Sequence, residues 1–394
     1  MSASSPPSSK KASAKALGRR LLAWYGRARR ALPWREDRAG ESPRAHQDAP
    51  LSGRGVPPDP YRVWLSEIML QQTTVATVAP YYARFVARWP TVTSLARASL
   101  DDVLHAWQGL GYYARARNLH RAARHVAVSL DGRFPDEEAG LSRLPGVGPY
   151  TAAAVAAIAF GRRTVPVDGN VARVIARLHG LRTRLPEGRA ALFAHARAML
   201  PDRHSGDFAE ALMDLGATVC TPRKPRCGDC PWQSACRARV LGDPTAFPLK
   251  IKKTPRPVRH AVVFWAEDRR GRVLVRRRAE RGLLGGMMEF PSTPWRAKPW
   301  TDGEARRHVP AKGPWLTQDA SFRHVFTHFT LDVRVVRARV GVGAVRGLRW
   351  WPVADLDRLA LPSVMKKAAK LAGVISTGRK RRGNRTEPKV SSGH

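Results

Sequence analysis

The chain has 394 residues, and its 69 Lys and Arg against 31 Asp and Glu give a formal net charge of +38. This length accommodates two or three domains, 43% hydrophobic residues suffice for packed cores, and no apolar run approaches a membrane span. The N-terminal MSASSPPSSKKASAK has no apolar stretch behind its lysines, which argues against a secretory leader and for a cytoplasmic protein, while the positive charge calls for a polyanionic partner, most simply nucleic acid.

In chain order, residues 1–15 are rich in Ser, Pro and Lys and are expected to be a disordered basic tail. Apolar spacing predicts a helix from Ala16 to Arg30, ahead of Leu32-Pro33-Trp34. Residues 38–58 have loop composition without apolar periodicity and are expected to be a disordered surface loop. From Tyr61 to about Arg239, apolar residues recur at three and four, punctuated by Pro or Gly, so 16–240 reads as a helical domain. Glu67 lies early in it, with Val63, Trp64, Leu70 and Gln71 three and four positions away. A carboxyl on so apolar a face is either desolvated and protonated or bonded to a backbone amide or a buried Arg.

Leu144-Pro-Gly-Val-Gly-Pro-Tyr150 separates two helical stretches. Gly146 and Gly148 permit a tight turn with positive φ. Such a turn leaves backbone N–H groups free at the start of the next helix, an anion site for a DNA phosphate, although an ordinary interhelical turn has the same composition. The helix that follows, Thr151–Ala159, has small side chains. Asp168 precedes a further helix, Val171–Leu178, closed by Gly180, where its first reading is an N-cap. Arginines also sit inside structured segments (Arg115, Arg117, Arg173, Arg177 and Arg276 to Arg278), so phosphate binding is expected to be salt-sensitive.

The four cysteines, Cys220, Cys227, Cys230 and Cys236, are the only ones and form C-x6-C-x2-C-x5-C. Crowding of this kind indicates a shared ligand. Only Cys227 and Cys230 make the short pair usual in zinc sites, and the wider flanking gaps favour a [4Fe–4S] cluster over zinc or two disulfides. Beyond Cys236, residues 241–258 hold four prolines and several lysines and read as a linker. Ala261–Trp265, Val273–Val275 and Phe329–Val335 read as strands and Met365–Gly373 as a short helix, giving an α+β domain over 259–373. Residues 374–394 are a second basic tail expected to be disordered.

The hairpin sequence, Val167-Asp-Gly-Asn170 and the four cysteines together resemble the helix-hairpin-helix, iron–sulfur DNA glycosylases. Pro60–Gln72 and Gly109-Leu-Gly-Tyr-Tyr-Ala-Arg115 narrow the similarity to the MutY adenine glycosylase family, over about Ala16–Cys236 and more weakly to Gly373. The resemblance implies a multidomain chain: an all-α helix-hairpin-helix glycosylase domain with an iron–sulfur cluster loop, plus a C-terminal α+β Nudix-like domain. It implies excision of adenine opposite 8-oxoguanine or guanine from double-stranded DNA by a monomer, with no membrane involved. Glu67 would be the general acid protonating the base, and Asp168 would stabilise the oxocarbenium-like sugar. Tyr150 and Asn170 would position Asp168 and water. Endonuclease III carries its amine nucleophile at the position of Tyr150, so a Schiff base is excluded here and a monofunctional glycosylase follows.

The same resemblance assigns Gln72 and Tyr112 as wedges in the duplex, although an exposed helix end and a packed Tyr-Tyr pair are the plainer readings. It places Phe326-Thr327-His328 at a lesion-reading loop in which Thr327 replaces a serine. Arg223 and Lys224 in the cysteine loop would grip phosphates. Arg281–Pro291 is similar to the Nudix glycine loop, but no cluster of Glu residues follows it, so nucleotide hydrolysis is not expected. A glycosylase for thymine opposite guanine and a non-enzymatic iron–sulfur DNA-binding regulator remain the alternatives.

Overall fold

The computed structural model describes residues 13–38, 58–182, 184, 187–249, 255–280, 282–315, 320–341, 343 and 345–377. The expectations for most of the two tails and for the 38–58 insertion lie outside the described residues. Contacts divide the chain into two units, Met1–Leu100 with Arg115–Lys253, and Asp101–Ala114 with Thr254–His394. The excursion Asp101–Ala114 thus groups with the C-terminal unit although it falls inside the stretch read as the helical domain. No helix among the described residues is long and apolar enough to cross a membrane.

The helices to the end of the first unit are α1 (Ala14–Ala28), α2 (Pro60–Leu70), α3 (Val75–Arg88), α4 (Val92–Arg97), α5 (Leu100–Ala106), α6 (Ala114–Ser129), α7 (Glu138–Leu141), α8 (Pro149–Phe160), α9 (Gly169–His179), α10 (Arg189–Met199), α11 (Ser205–Asp214) and α12 (Arg237–Val240). All of α5 but Leu100, and the first residue of α6, belong to the excursion. Local chemistry sets the ends. Ser13 accepts from the Ala16 N–H to start α1, Asp59 accepts from Tyr61 N–H with Pro60 in the first turn of α2, and Gly180, at φ 64°, closes α9.

Helix α8 organises this unit. Thr151 to Ala159 are buried without interruption, because a helix that is apolar on every side has no face to offer water. It packs against α2, α7 and α11. Its small side chains allow close approach: a Cβ on Gly206 of α11 would stand 2.9 Å from the Ala157 carbonyl oxygen. Helices α2 and α11 therefore flank one core helix at short range. The other apolar core joins Leu17, Leu21 and Tyr25 of α1 to α9, α10 and α11, and Trp232 donates to the Leu17 carbonyl at 2.9 Å.

In the C-terminal unit, β1 (Val258–Glu267), β2 (Arg272–Arg277), β3 (Met288–Glu289), β4 (Ser321–Val325), β5 (Thr330–Arg339) and β6 (Arg349–Pro352) form one mixed sheet in the order β3-β2-β1-β5-β4, with β6 also paired to β2. Strands β1 and β5 are parallel from Val258↔Thr330 to Glu267↔Arg339, and the other pairs are antiparallel. Strand β1 is central and buries six consecutive residues, since both sheet faces are covered. One face packs on α14 (Ser363–Thr377) through Val364, Met365 and Ala368; the other packs near α13 (Asp302–Arg306) through Ala305 and Trp315. The segment after Glu289 enters no helix before Asp302.

Candidate active site and iron–sulfur loop

Glu67 sits inward on α2, only 6% exposed. Burial pushes its carboxyl from 4.5 up to about 7. Glu210 and Asp168 add to the rise, while the Tyr150 hydroxyl bond and the Arg35 charge oppose it. The apolar face read in the sequence is therefore the cause of a proton held near neutrality. Tyr150, in the first turn of α8, has its hydroxyl 3.8 Å from Met213 Sδ. Burial and the adjacent Glu67 and Asp168 keep the phenol protonated.

Asp168 takes the N-cap position of its first reading. One carboxylate oxygen caps α9, accepting from Val171 N–H at 2.7 Å, and the other accepts from Asn170 Nδ2 at 3.0 Å. The amide oxygen of Asn170 in turn accepts from Arg173 at 2.9 Å, and Arg173 donates to the carbonyls of Gly216 at 2.7 Å and Cys220 at 2.9 Å. Glu67, Tyr150, Asp168 and Asn170 are thus brought together, on α2, α8 and the start of α9.

The sequence reading missed a buried ionic set beside Glu67. Arg35 meets Glu210 at 3.3 Å and Asp214 at 2.9 Å, Arg30 Nε donates to Asp214 at 2.7 Å, and Tyr25 donates to Glu210 at 2.7 Å. Asp207, Glu210 and Asp214 are all buried on α11, at spacings of three and four. That stripe of acids was available as a signal. A small recess of about 40 Å³ is lined by Trp34, Arg35, Glu67, Glu210 and Met213 among others.

The four cysteines line one small apolar hollow with Arg177. Arg177 is 2% exposed; it donates to Cys220 Sγ at 3.4 Å and to the carbonyls of Thr221 at 2.7 Å and Pro222 at 2.9 Å. Burial pushes the Cys230 thiol up to about 12 and raises Cys236, so these two would ionise only with positive charge beside them. Among the described residues no three His, Cys, Asp or Glu side chains gather closely enough to hold a single ion. The donor set and its hollow fit the iron–sulfur group.

Some expectations need correction. Gly146 has φ 79°, but Gly148 has an ordinary φ of −88° and forms the N-cap of α8, where no side chain caps the helix. One left-handed residue completes the turn. Arg115, Arg173 and Arg177 are not phosphate ligands: each is buried and bonds to backbone carbonyls. Arg223 and Lys224 are exposed on the cysteine loop. Gln72 is exposed just past α2, in left-handed backbone at φ 58°. Within the C-terminal unit, Tyr112 is 45% exposed and its hydroxyl lies 2.6 Å from Thr327 Oγ1; Tyr113 is the packed member of the pair. Thr327 and His328 form the exposed tip of the β4–β5 turn, with Phe326 stacked on Phe329 at 4.8 Å.

Comparison with known proteins agrees with this geometry. The model of the HhH-GPD superfamily base excision DNA repair protein matches residues 65–196, and that of the iron-sulfur binding domain of endonuclease III matches residues 220–236. The human adenine DNA glycosylase is 34% identical over 410 residues, covering 89% of this chain and 73% of the relative. The chain belongs to the adenine DNA glycosylase family. The member from Schizosaccharomyces pombe is 30% identical over 438 residues, covering 94% of this chain and 93% of its own. That from Arabidopsis thaliana is 39% identical over 307 residues, covering 69% and 46%. A NUDIX domain model matches residues 262–371. The chain carries an iron–sulfur cluster, and the matched stretch 220–236 begins at Cys220, ends at Cys236 and contains Cys227 and Cys230.

Proposed function

We propose that the chain removes adenine mispaired with 8-oxoguanine or guanine in double-stranded DNA by hydrolysing the N-glycosidic bond. The observation that carries this is Glu67, buried with a carboxyl near 7 and facing Tyr150 and the second carboxylate, Asp168. An extruded purine would reach Glu67 once the small recess it lines opens to admit the base. Glu67 would deliver its proton to a ring nitrogen of the leaving base. Asp168, held by Asn170 and the first turn of α9, would stabilise the cationic sugar. Tyr150 keeps its proton and so orients the carboxyl of Glu67 without competing as a base. It offers no amine, and no lysine is among the residues lining the recess, which supports a water-dependent, monofunctional reaction.

The uncapped start of α8 would receive a DNA phosphate, with Arg223 and Lys224 gripping others. When bound, the cluster ties the segment Cys220–Cys236 into a fixed loop. The C-terminal unit would read the lesion with Phe326, Thr327 and His328, while Gln72 and Tyr112 wedge into the duplex. In that unit the carboxylate of Glu289 is engaged by Arg276 and Arg278.

Incubation with a duplex holding adenine opposite 8-oxoguanine tests the reading. Free adenine, strand breakage only after alkali, and an untouched thymine–guanine duplex are expected. Breakage without alkali, or no adenine release, defeats it.

A further inference from the structure

The Gly109–Arg115 motif contributes its tyrosine to the reading above but leaves its arginine without a role. Arg115, on α6 and 9% exposed, reaches the far end of α2. Its Nη1 donates to the carbonyls of Ile68 at 3.0 Å and Met69 at 2.8 Å, and its Nη2 donates to Thr73 Oγ1 at 3.0 Å. The last four carbonyls of a helix lack partners within it, and a cation there also meets the negative end of the helix dipole. The three acceptors have a further property. They straddle Gln72, whose left-handed φ of 58° is strained for a side chain with a Cβ. Ile68 directly follows Glu67.

A second tie meets the same turn. Gln71 Nε2 donates to Thr151 Oγ1 at 3.1 Å, on the residue after Tyr150. We propose that Arg115 is a positioning residue which clamps the end of the Glu67 helix to the Gln72 turn, so that the acid and the group facing the duplex are held as one rigid piece. The proposal rests on the roles given above to Glu67 and Gln72. The planar fork is essential to it, because one guanidinium spans three acceptors that a lysine ammonium on a flexible stem does not hold together.

The test uses the full iron–sulfur-loaded chain with Arg115→Lys and Thr73→Val, measuring base release under saturating duplex across pH together with melting and iron–sulfur absorbance. Loosening the end of α2 admits water to Glu67. Tyr150, Asp168, Glu210 and Arg35, the groups that act on its carboxyl, stay in place. Arg115→Lys should therefore slow release about tenfold to hundredfold at nearly unchanged KM. Its alkaline limb should move to lower pH, with melting and absorbance retained; Thr73→Val should shift the same way by less. A wild-type rate in both variants, slower release with an unmoved limb, or loss of melting and absorbance in both would overturn the proposal. If the wild-type chain itself releases no adenine, the functional reading fails first and takes this inference with it.

Discussion

Replacing Glu67 by Gln is expected to remove activity and add stability in a pH-dependent way. The wild-type carboxyl lies near 7 in the folded protein against an ordinary 4.5. At 1.36 kcal/mol per pH unit this difference amounts to about 3 kcal/mol. The folded state binds the proton more tightly than the unfolded chain, so stability falls as pH rises from 4.5 towards 7 and the loss is complete above that. Gln fills the same space and never ionises. The variant should match the wild type closely at pH 5 and exceed it by about 3 kcal/mol at pH 8, or roughly 6–12 °C for a unit of this size. Melting followed by iron–sulfur absorbance reports the helical unit, and adenine release from the lesion duplex reports the chemistry. An equal stability difference at both pH values, or full base release by the variant, would refute the reasoning.

Asp168→Asn separates the two duties of that carboxylate. Asn caps a helix as well as Asp does, so stability should change by less than about 1 kcal/mol while base release disappears; retained release in a titrated single-turnover assay would leave Asp168 as a cap only. Asp214→Ala should be destabilising, by about 2–4 kcal/mol, because it removes the partner of Arg30 and leaves buried Arg35 with Glu210 alone, and a loss below about 1 kcal/mol in denaturant melts would contradict the ionic set described here.

Much of the architecture was legible because it is local. The strands at Ala261–Trp265 and Val273–Val275 and the helix at Met365–Gly373 all fall inside observed elements, since periodicity of two and of three to four is written into adjacent residues. Glu67 was legible for the same reason: its apolar neighbours lie on its own helix. The partners of Arg35 were not, because Glu210 and Asp214 lie more than 170 positions away and a one-dimensional pattern carries no information about which helix returns beside which. Arg115, Arg173 and Arg177 were counted toward phosphate binding for an equivalent reason. Nothing in their spacing separates a guanidinium facing phosphates from one satisfying the carbonyls of another element, and it is burial that decides.

The run of alanines in α8 has an implication for variation in this protein. With a neighbouring glycine already against its backbone and no solvent-facing side, the helix has nowhere to put an added methyl group. Enlarging Ala157 would push α11 off α8 and displace Glu210, which acts on the Glu67 carboxyl, and repair would suffer although no reacting atom had been touched. Inherited changes that abolish function should therefore be as dense along this plain apolar stretch as among the residues that perform the chemistry.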